Sequence, residues 1–165
     1  MGPDGAVLIM GGNDIAFDEQ KSNEKGTSGS PPDTDQVTRA LRKIATEFHR
    51  SGVVVTIVPI LPRRNTRQLK TRVTPEDFLK MANTINKSVS RQLKDRIGYD
   101  PLIQINKQLL KNYQHLKEDG IHYTPKISEY IKEAIMVHYH SVTQAQRRVR
   151  EAPLMRHREW MTRTP

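Results

Sequence analysis

Two short segments of the chain combine residue types that can take part in acid–base and oxyanion chemistry. The first consists of Gly11, Gly12, Asn13 and Asp14. Its glycines let the backbone approach a ligand, and the Asn13 amide can donate a hydrogen bond to a developing oxyanion. The second segment places Asp119 three residues before His122. A carboxylate beside an imidazole fixes its tautomer and stabilises the imidazolium, so His122 can accept a proton from a hydroxyl group.

Each segment alone also fits an ordinary turn, because glycine, asparagine and aspartate are the usual turn residues. The chain contains no cysteine, which excludes disulfides, thiolate zinc sites and cysteine nucleophiles. The remaining histidines have no comparable aspartate partner: His49, His115, His138, His140 and His157. His138 and His140 lack the further ligands that a metal site requires. The sequence therefore predicts neither a metal ion nor a cofactor.

Two basic segments account for the whole formal net charge of +9. The segment from 61 to 72 contains no acid and five bases: Arg63, Arg64, Arg67, Lys70 and Arg72. In the segment from 142 to 165, six arginines accompany two glutamates. Such segments can bind anions, with nucleic acid as a candidate partner, although many are simply solvated. The rest of the chain is neutral and has the composition of an ordinary globular surface.

Length and composition limit the class of protein. The chain has 165 residues, of which 35% are hydrophobic, and this fits one domain with a modest core. No run approaches the ~18 to 20 apolar residues of a membrane span, and the opening residues lack the basic segment of a signal peptide. We therefore expect an intracellular protein, cytoplasmic or nuclear, with no membrane partner.

The hydrophobic pattern predicts strands alternating with helices. Apolar runs at 6–10 and 53–58 are typical of strands buried on both faces of a parallel sheet, and an amphipathic helix lies between them. Residues 18–32 are almost without apolar side chains and predict a mobile loop. This arrangement of strand, helix and strand is a βαβ unit.

The second half of the chain extends the same pattern. Thr74-Pro75 and Thr124-Pro125 each place a cap and a first-turn proline before a helical repeat, and residues 102–105 can form a further strand. The last helix is expected to fade near 138–141. We therefore predict an α/β fold, a parallel sheet with helices in three layers, over residues 1–141, followed by a basic arm at 142–165. Because sites in such sheets form at the carboxyl ends of strands, Asn13 and His122 are expected to converge.

Taken together, the two chemical segments resemble a known family. Gly-x-Asn-Asp after a first strand and Asp-x-x-His before a final helix are signature blocks of the SGNH, or GDSL-type, hydrolases. VLIMGGNDI is similar to the third block and DGIHYTP to the fifth, and the resemblance covers roughly residues 6–135. It implies a flavodoxin-like fold and an ester hydrolase or lipase activity. It also implies that Asn13 completes the oxyanion hole while Asp119 and His122 activate a serine.

The chain departs from that family at the nucleophile. The family's Gly-Asp-Ser block and its second-block glycine are missing, and no serine here follows a predicted strand. We expect an N-terminally truncated domain whose serine comes from upstream sequence or another chain, which would also cover the exposed sheet edge. The alternative is a noncatalytic module that binds RNA or another anionic partner through the basic segments. Retrotransposon-encoded versions of the domain are similar in composition.

Overall fold

The computed structural model describes residues 4–15, 34–67, 69 and 73–163, with the backbone alone for Asp14 and for 152–163. It is an α/β structure. Its regular elements are β1 (Gly5–Leu8), α1 (Thr34–Arg50), β2 (Val54–Ile57), α2 (Pro75–Ile97) and α3 (Pro125–Arg163), with short 3-10 helices at Gly12–Asp14 and Lys107–Leu110. The predicted loop at 18–32 lies outside the described residues, as do Lys70 and Arg72.

The βαβ unit predicted from the sequence is confirmed. β1 and β2 pair in parallel, with Gly5 opposite Val54 and Leu8 opposite Ile57, and α1 connects them. β2 is buried throughout, as expected for an apolar, β-branched strand between two helical layers.

The strand predicted at 102–105 is wrong except at one bridge, between Ile57 and Leu102. There the Ile57 N–H donates to the Pro101 carbonyl (2.7 Å), and the Ile103 N–H donates to the Ile57 carbonyl (3.0 Å). Elsewhere the edge of β2 is occupied by the hydroxyl of Tyr99. This hydroxyl accepts from the Val55 N–H (2.8 Å) and donates to the Val55 carbonyl (3.2 Å). A side chain therefore satisfies backbone groups that a third strand would otherwise pair.

Helices cover the two faces of the sheet. Leu8, Val55 and Ile57 belong to a core cluster shared with α1 and α2. On the opposite face, Thr56 is hydrogen-bonded to His138 of α3 (2.9 Å between Oγ1 and Nδ1). The result is a three-layer arrangement of helices, sheet and helix. Among the described residues, no helix combines the length and hydropathy that a membrane span needs.

The predicted helix starts are confirmed. The Thr74 hydroxyl accepts from the Asp77 N–H (3.1 Å), and the Thr124 hydroxyl accepts from the Ile127 N–H (3.4 Å). The expected fading of the last helix near 138–141 is wrong, because α3 continues through Arg163. No glycine or proline lies between 126 and 152, and the alanine, glutamine and arginine found there favour a helix.

The expectation that the first strand is buried on both faces is also wrong. Val7, Ile9 and Met10 are 46%, 63% and 42% exposed. The reason is that α3 lies over β2 and approaches β1 only near Gly5, where a Cβ would lie 3.2 Å from the Tyr139 ring. No described residue pairs with the outer edge of β1. A partner chain at that edge stays a prediction.

Candidate active-site cleft

Asp119 and His122 form a hydrogen-bonded pair in the turn that precedes α3. One carboxylate oxygen of Asp119 accepts from the backbone N–H groups of Ile121 and His122, both at 2.9 Å. The other lies 2.5 Å from His122 Nδ1. The Ile121 N–H and the His122 side chain and N–H hold the pKa of Asp119 well below its usual range, so this carboxylate stays ionised. With Nδ1 engaged, Nε2 is the nitrogen that can accept a proton from a nucleophile.

Hydrogen bonds join this turn to the loop that follows β2. The Gly120 carbonyl accepts from the backbone N–H groups of Arg64 (3.1 Å) and Asn65 (3.2 Å). The Arg64 guanidinium donates to the carbonyls of Lys117 (2.9 Å) and Glu118 (2.8 Å). Arg64, a predicted anion-binding residue, therefore uses its side chain to position the turn that carries His122.

His115 links the same two segments from the interior. It is 0% exposed, and its Nε2 lies 3.1 Å from the Pro62 carbonyl, so the neutral ring donates there. Its own carbonyl accepts from the Thr124 N–H (3.1 Å) at the start of α3. Burial lowers the pKa of His115, because the charged ring would lose its hydration. Sequence reasoning assigned His115 no role.

His115 should make the stability of the protein depend on pH. Its pKa is near 6.5 in the unfolded chain and lower in the folded one, so below that pH the unfolded state binds the extra proton. We expect the free energy of unfolding to be constant above about pH 6.5 and to fall below it by up to about 1.4 kcal/mol per pH unit. Urea unfolding between pH 5 and 8 measures this. His115→Gln should flatten the curve and His140→Gln should not; equal slopes would contradict the prediction.

The opposite wall of the site is the loop that follows β1. Gly11 has a φ of 103°, in the left-handed region that favours glycine, and Ile60 packs against it. Asn86 of α2 holds the Ile60 backbone through two hydrogen bonds. Its side-chain oxygen accepts from the Ile60 N–H (2.9 Å), and its amide nitrogen donates to the Ile60 carbonyl (3.0 Å). The sequence analysis did not predict this role for Asn86. Its position four residues after buried Ala82 and three before buried Val89 was the available signal.

Asn13 and His122 line one cleft of about 490 Å³, although more than a hundred residues separate them in sequence. Arg63, Leu69, Ile121 and Tyr123 complete its lining. An adjoining cleft of about 200 Å³ reaches Gly11 and Gly12 and shares Asn13, Arg63 and Tyr123. The structure thus brings together an amide donor and an imidazole base, as the topology of a parallel sheet favours.

Four further described arginines of the predicted basic segments do not line this cleft. Arg67 is exposed, and so are Arg147, Arg148 and Arg150 on α3. These four arginines are the exposed part of the two predicted basic segments that lies outside the cleft and the Arg64 contacts. Binding of nucleic acid to them stays a prediction.

No serine lines either cleft among the described residues. The Ser90 hydroxyl, for example, donates to the Asp100 carboxylate (2.7 Å) at the far end of α2. The described side chains also contain no group of three histidines, aspartates or glutamates placed to hold a metal ion. Among its described lining residues, the cleft therefore combines an imidazole, an amide and the Tyr123 hydroxyl, with no serine.

Comparisons of the chain with models of known protein families, with curated proteins and with solved structures gave no match. The likeness to the SGNH hydrolases accordingly rests on the two sequence segments around Asn13 and His122. What the cleft can do chemically follows from its side chains.

Proposed function

We propose that the protein is an ester hydrolase of the SGNH type, with His122 as general base, Asp119 as its orienting carboxylate and Asn13 as an oxyanion donor. The observation that carries this proposal is the hydrogen-bonded Asp119–His122 pair in the same cleft as the Asn13 amide. An imidazole held by an ionised carboxylate can act as a general base, and an amide lining the same cleft can stabilise an oxyanion; acyl transfer uses both together with a nucleophile.

The reaction proceeds by attack of a hydroxyl oxygen on the ester carbonyl. His122 Nε2 takes the hydroxyl proton as the new C–O bond forms, and the carbonyl electron pair moves to the oxygen that Asn13 stabilises. Collapse of this intermediate breaks the ester C–O bond, and the leaving alkoxide takes the proton back from His122. Among the residues described as lining the cleft, the only side-chain hydroxyl is that of Tyr123, and water is the proposed nucleophile. The SGNH likeness adds a serine from a Gly-Asp-Ser segment, which the sequence given does not contain.

Turnover of 4-nitrophenyl acetate by the purified protein tests this proposal. We expect His122→Ala and Asn13→Ala each to lower kcat/KM by about 100-fold, because a general base and an oxyanion donor each contribute on that order. Exposed imidazoles hydrolyse this activated ester without any site, so His140→Ala serves as the matched control. His140 is exposed on α3 and lies outside the cleft.

The proposal predicts a large loss for the two cleft variants and almost none for His140→Ala. Comparable rates in all four proteins would show that the hydrolysis is background imidazole chemistry, and the proposal would be abandoned. Thermal unfolding of each variant separates a chemical effect from a loss of fold.

A further inference from the structure

Among the described residues, Arg63 has no carboxylate counter-ion in the cleft. It lines both adjoining clefts and is half-buried. No described carboxylate forms an ion pair with its guanidinium, and no described group accepts a hydrogen bond from it. A guanidinium has five N–H donors in a planar fork, and burying them unpaired is costly. The donors of Arg63 are therefore available to a ligand.

The position of this guanidinium is fixed by two neighbours. Its central carbon lies 5.4 Å from the centroid of the Phe78 ring, which is fully buried. The ring face attracts the cation without using its N–H donors. Arg63 Nη2 also lies 2.8 Å from the point that a Cβ on Gly12 would occupy. The missing side chain of Gly12 thus makes the room in which the guanidinium sits, beside Asn13.

We propose that Arg63 selects the substrate, so that the cleft takes an ester bearing a carboxylate or phosphate group. This inference rests on the proposed function, because that function makes the ligand an ester. Binding of an anion by Arg63 does not itself require hydrolysis. Arg63, Asn13 and His122 line the same cleft, so a bound molecule can present its anionic end to the guanidinium and its carbonyl to the amide and imidazole. The planar fork matches both oxyanion types.

Binding of a stable amide analogue tests the anion site without relying on turnover. 4-Acetamidobenzoate carries a carboxylate across a rigid ring from an acyl group, and 4-acetamidobenzamide is its neutral counterpart. We expect the wild-type protein to bind the carboxylate at least about tenfold more tightly, since hydrogen bonds to a charged partner are worth that much. Arg63→Gln should remove this difference in calorimetric titrations. 4-Acetamidophenyl phosphate, titrated in parallel, shows whether carboxylate or phosphate is preferred.

Two further variants keep the test decisive. Arg91→Gln removes the same charge from an exposed position on α2 and should change the affinity by less than about twofold, because distant surface charges are screened by salt. In Gly12→Ala the new methyl group meets the end of the flexible Arg63 side chain, which can move, so the fold should survive while the carboxylate is bound about tenfold more weakly. Equal binding of carboxylate and amide by the wild type, or unchanged affinity in Arg63→Gln, would overturn the proposal.

Hydrolysis then separates this inference from the proposed function. For 4-acetoxybenzoate and 4-acetoxybenzamide, the ratio of the two kcat/KM values should fall about tenfold in Arg63→Gln, matching the binding result. Absence of His122-dependent turnover would overturn the esterase proposal, while the binding titrations would still decide whether Arg63 recognises an anion. A retained preference for the charged ester in Arg63→Gln would overturn the role of Arg63 alone.

Discussion

Gly120→Ala is expected to detach the turn that carries Asp119 and His122. Gly120 has a φ of 73°, and a Cβ at this position would lie 2.9 Å from the backbone nitrogen of Asn65. Backbone cannot move aside as a flexible side chain can. The Arg64 and Asn65 N–H groups would lose the Gly120 carbonyl, in addition to the cost of the left-handed conformation. We expect a loss of about 3 kcal/mol or more in the free energy of unfolding, measured by urea denaturation.

Gly98→Ala is the matched control for this prediction. Gly98 also has a positive φ, 86°, but a Cβ there would meet nothing within 4 Å. Its substitution carries the conformational cost alone, about 1 to 2 kcal/mol. The difference between the two variants therefore measures the close approach of the two loops. If both lose the same stability, the contact between Gly120 and Asn65 does not hold the turn in place. Under the proposed function, Gly120→Ala should also lower ester turnover far more than Gly98→Ala.

Tyr99→Phe is expected to have the second large effect, through the sheet. The change removes one oxygen and leaves both the N–H and the carbonyl of Val55 without a partner. Val55 is 0% exposed, so water cannot replace the hydroxyl without opening the core. Because each of these two buried polar groups costs about 1 to 3 kcal/mol when left unpaired, we expect a loss of about 2 to 6 kcal/mol in the free energy of unfolding.

Tyr130→Phe makes the same chemical change at the surface. The Tyr130 hydroxyl accepts from the Asn106 N–H (3.0 Å), and both residues are exposed. Water can take over this bond, so the loss should stay below about 1 kcal/mol. Urea unfolding of both variants at pH 7 provides the comparison. Similar small losses would mean that the Tyr99 hydroxyl is not a structural substitute for a strand.

The elements that the sequence predicted well are those fixed by local chemistry. The caps at Thr74 and Thr124 depend on a threonine followed by proline, and the apolar, β-branched run that forms β2 has few alternatives to a buried strand. The Asp119–His122 pair also depends on local spacing, since both side chains belong to one turn.

Features set by distant contacts escaped prediction. Tyr99 occupies the edge of β2 and so prevents a full third strand, but nothing in the residues 102–105 themselves indicates this. The exposure of Val7 and Ile9 depends on where α3 lies, which an apolar run cannot reveal. Asn86 and His115 act on backbone carbonyls about 26 and 53 residues away; helical spacing places Asn86 near the buried face of α2, but no periodic signal identifies either partner.

The hydrogen bonds between the two loops on one side of the cleft have a consequence for substrate shape. Arg63 follows Pro62 and precedes Arg64, and both neighbours are bonded to the segment that carries His122. The backbone that carries Arg63 is therefore bonded to the turn that carries His122, whereas Asn13 lies on the separate loop after β1. Under the proposed function, this connection sets the spacing between the scissile bond and the charged group of a substrate, and so predicts discrimination among homologous esters by chain length.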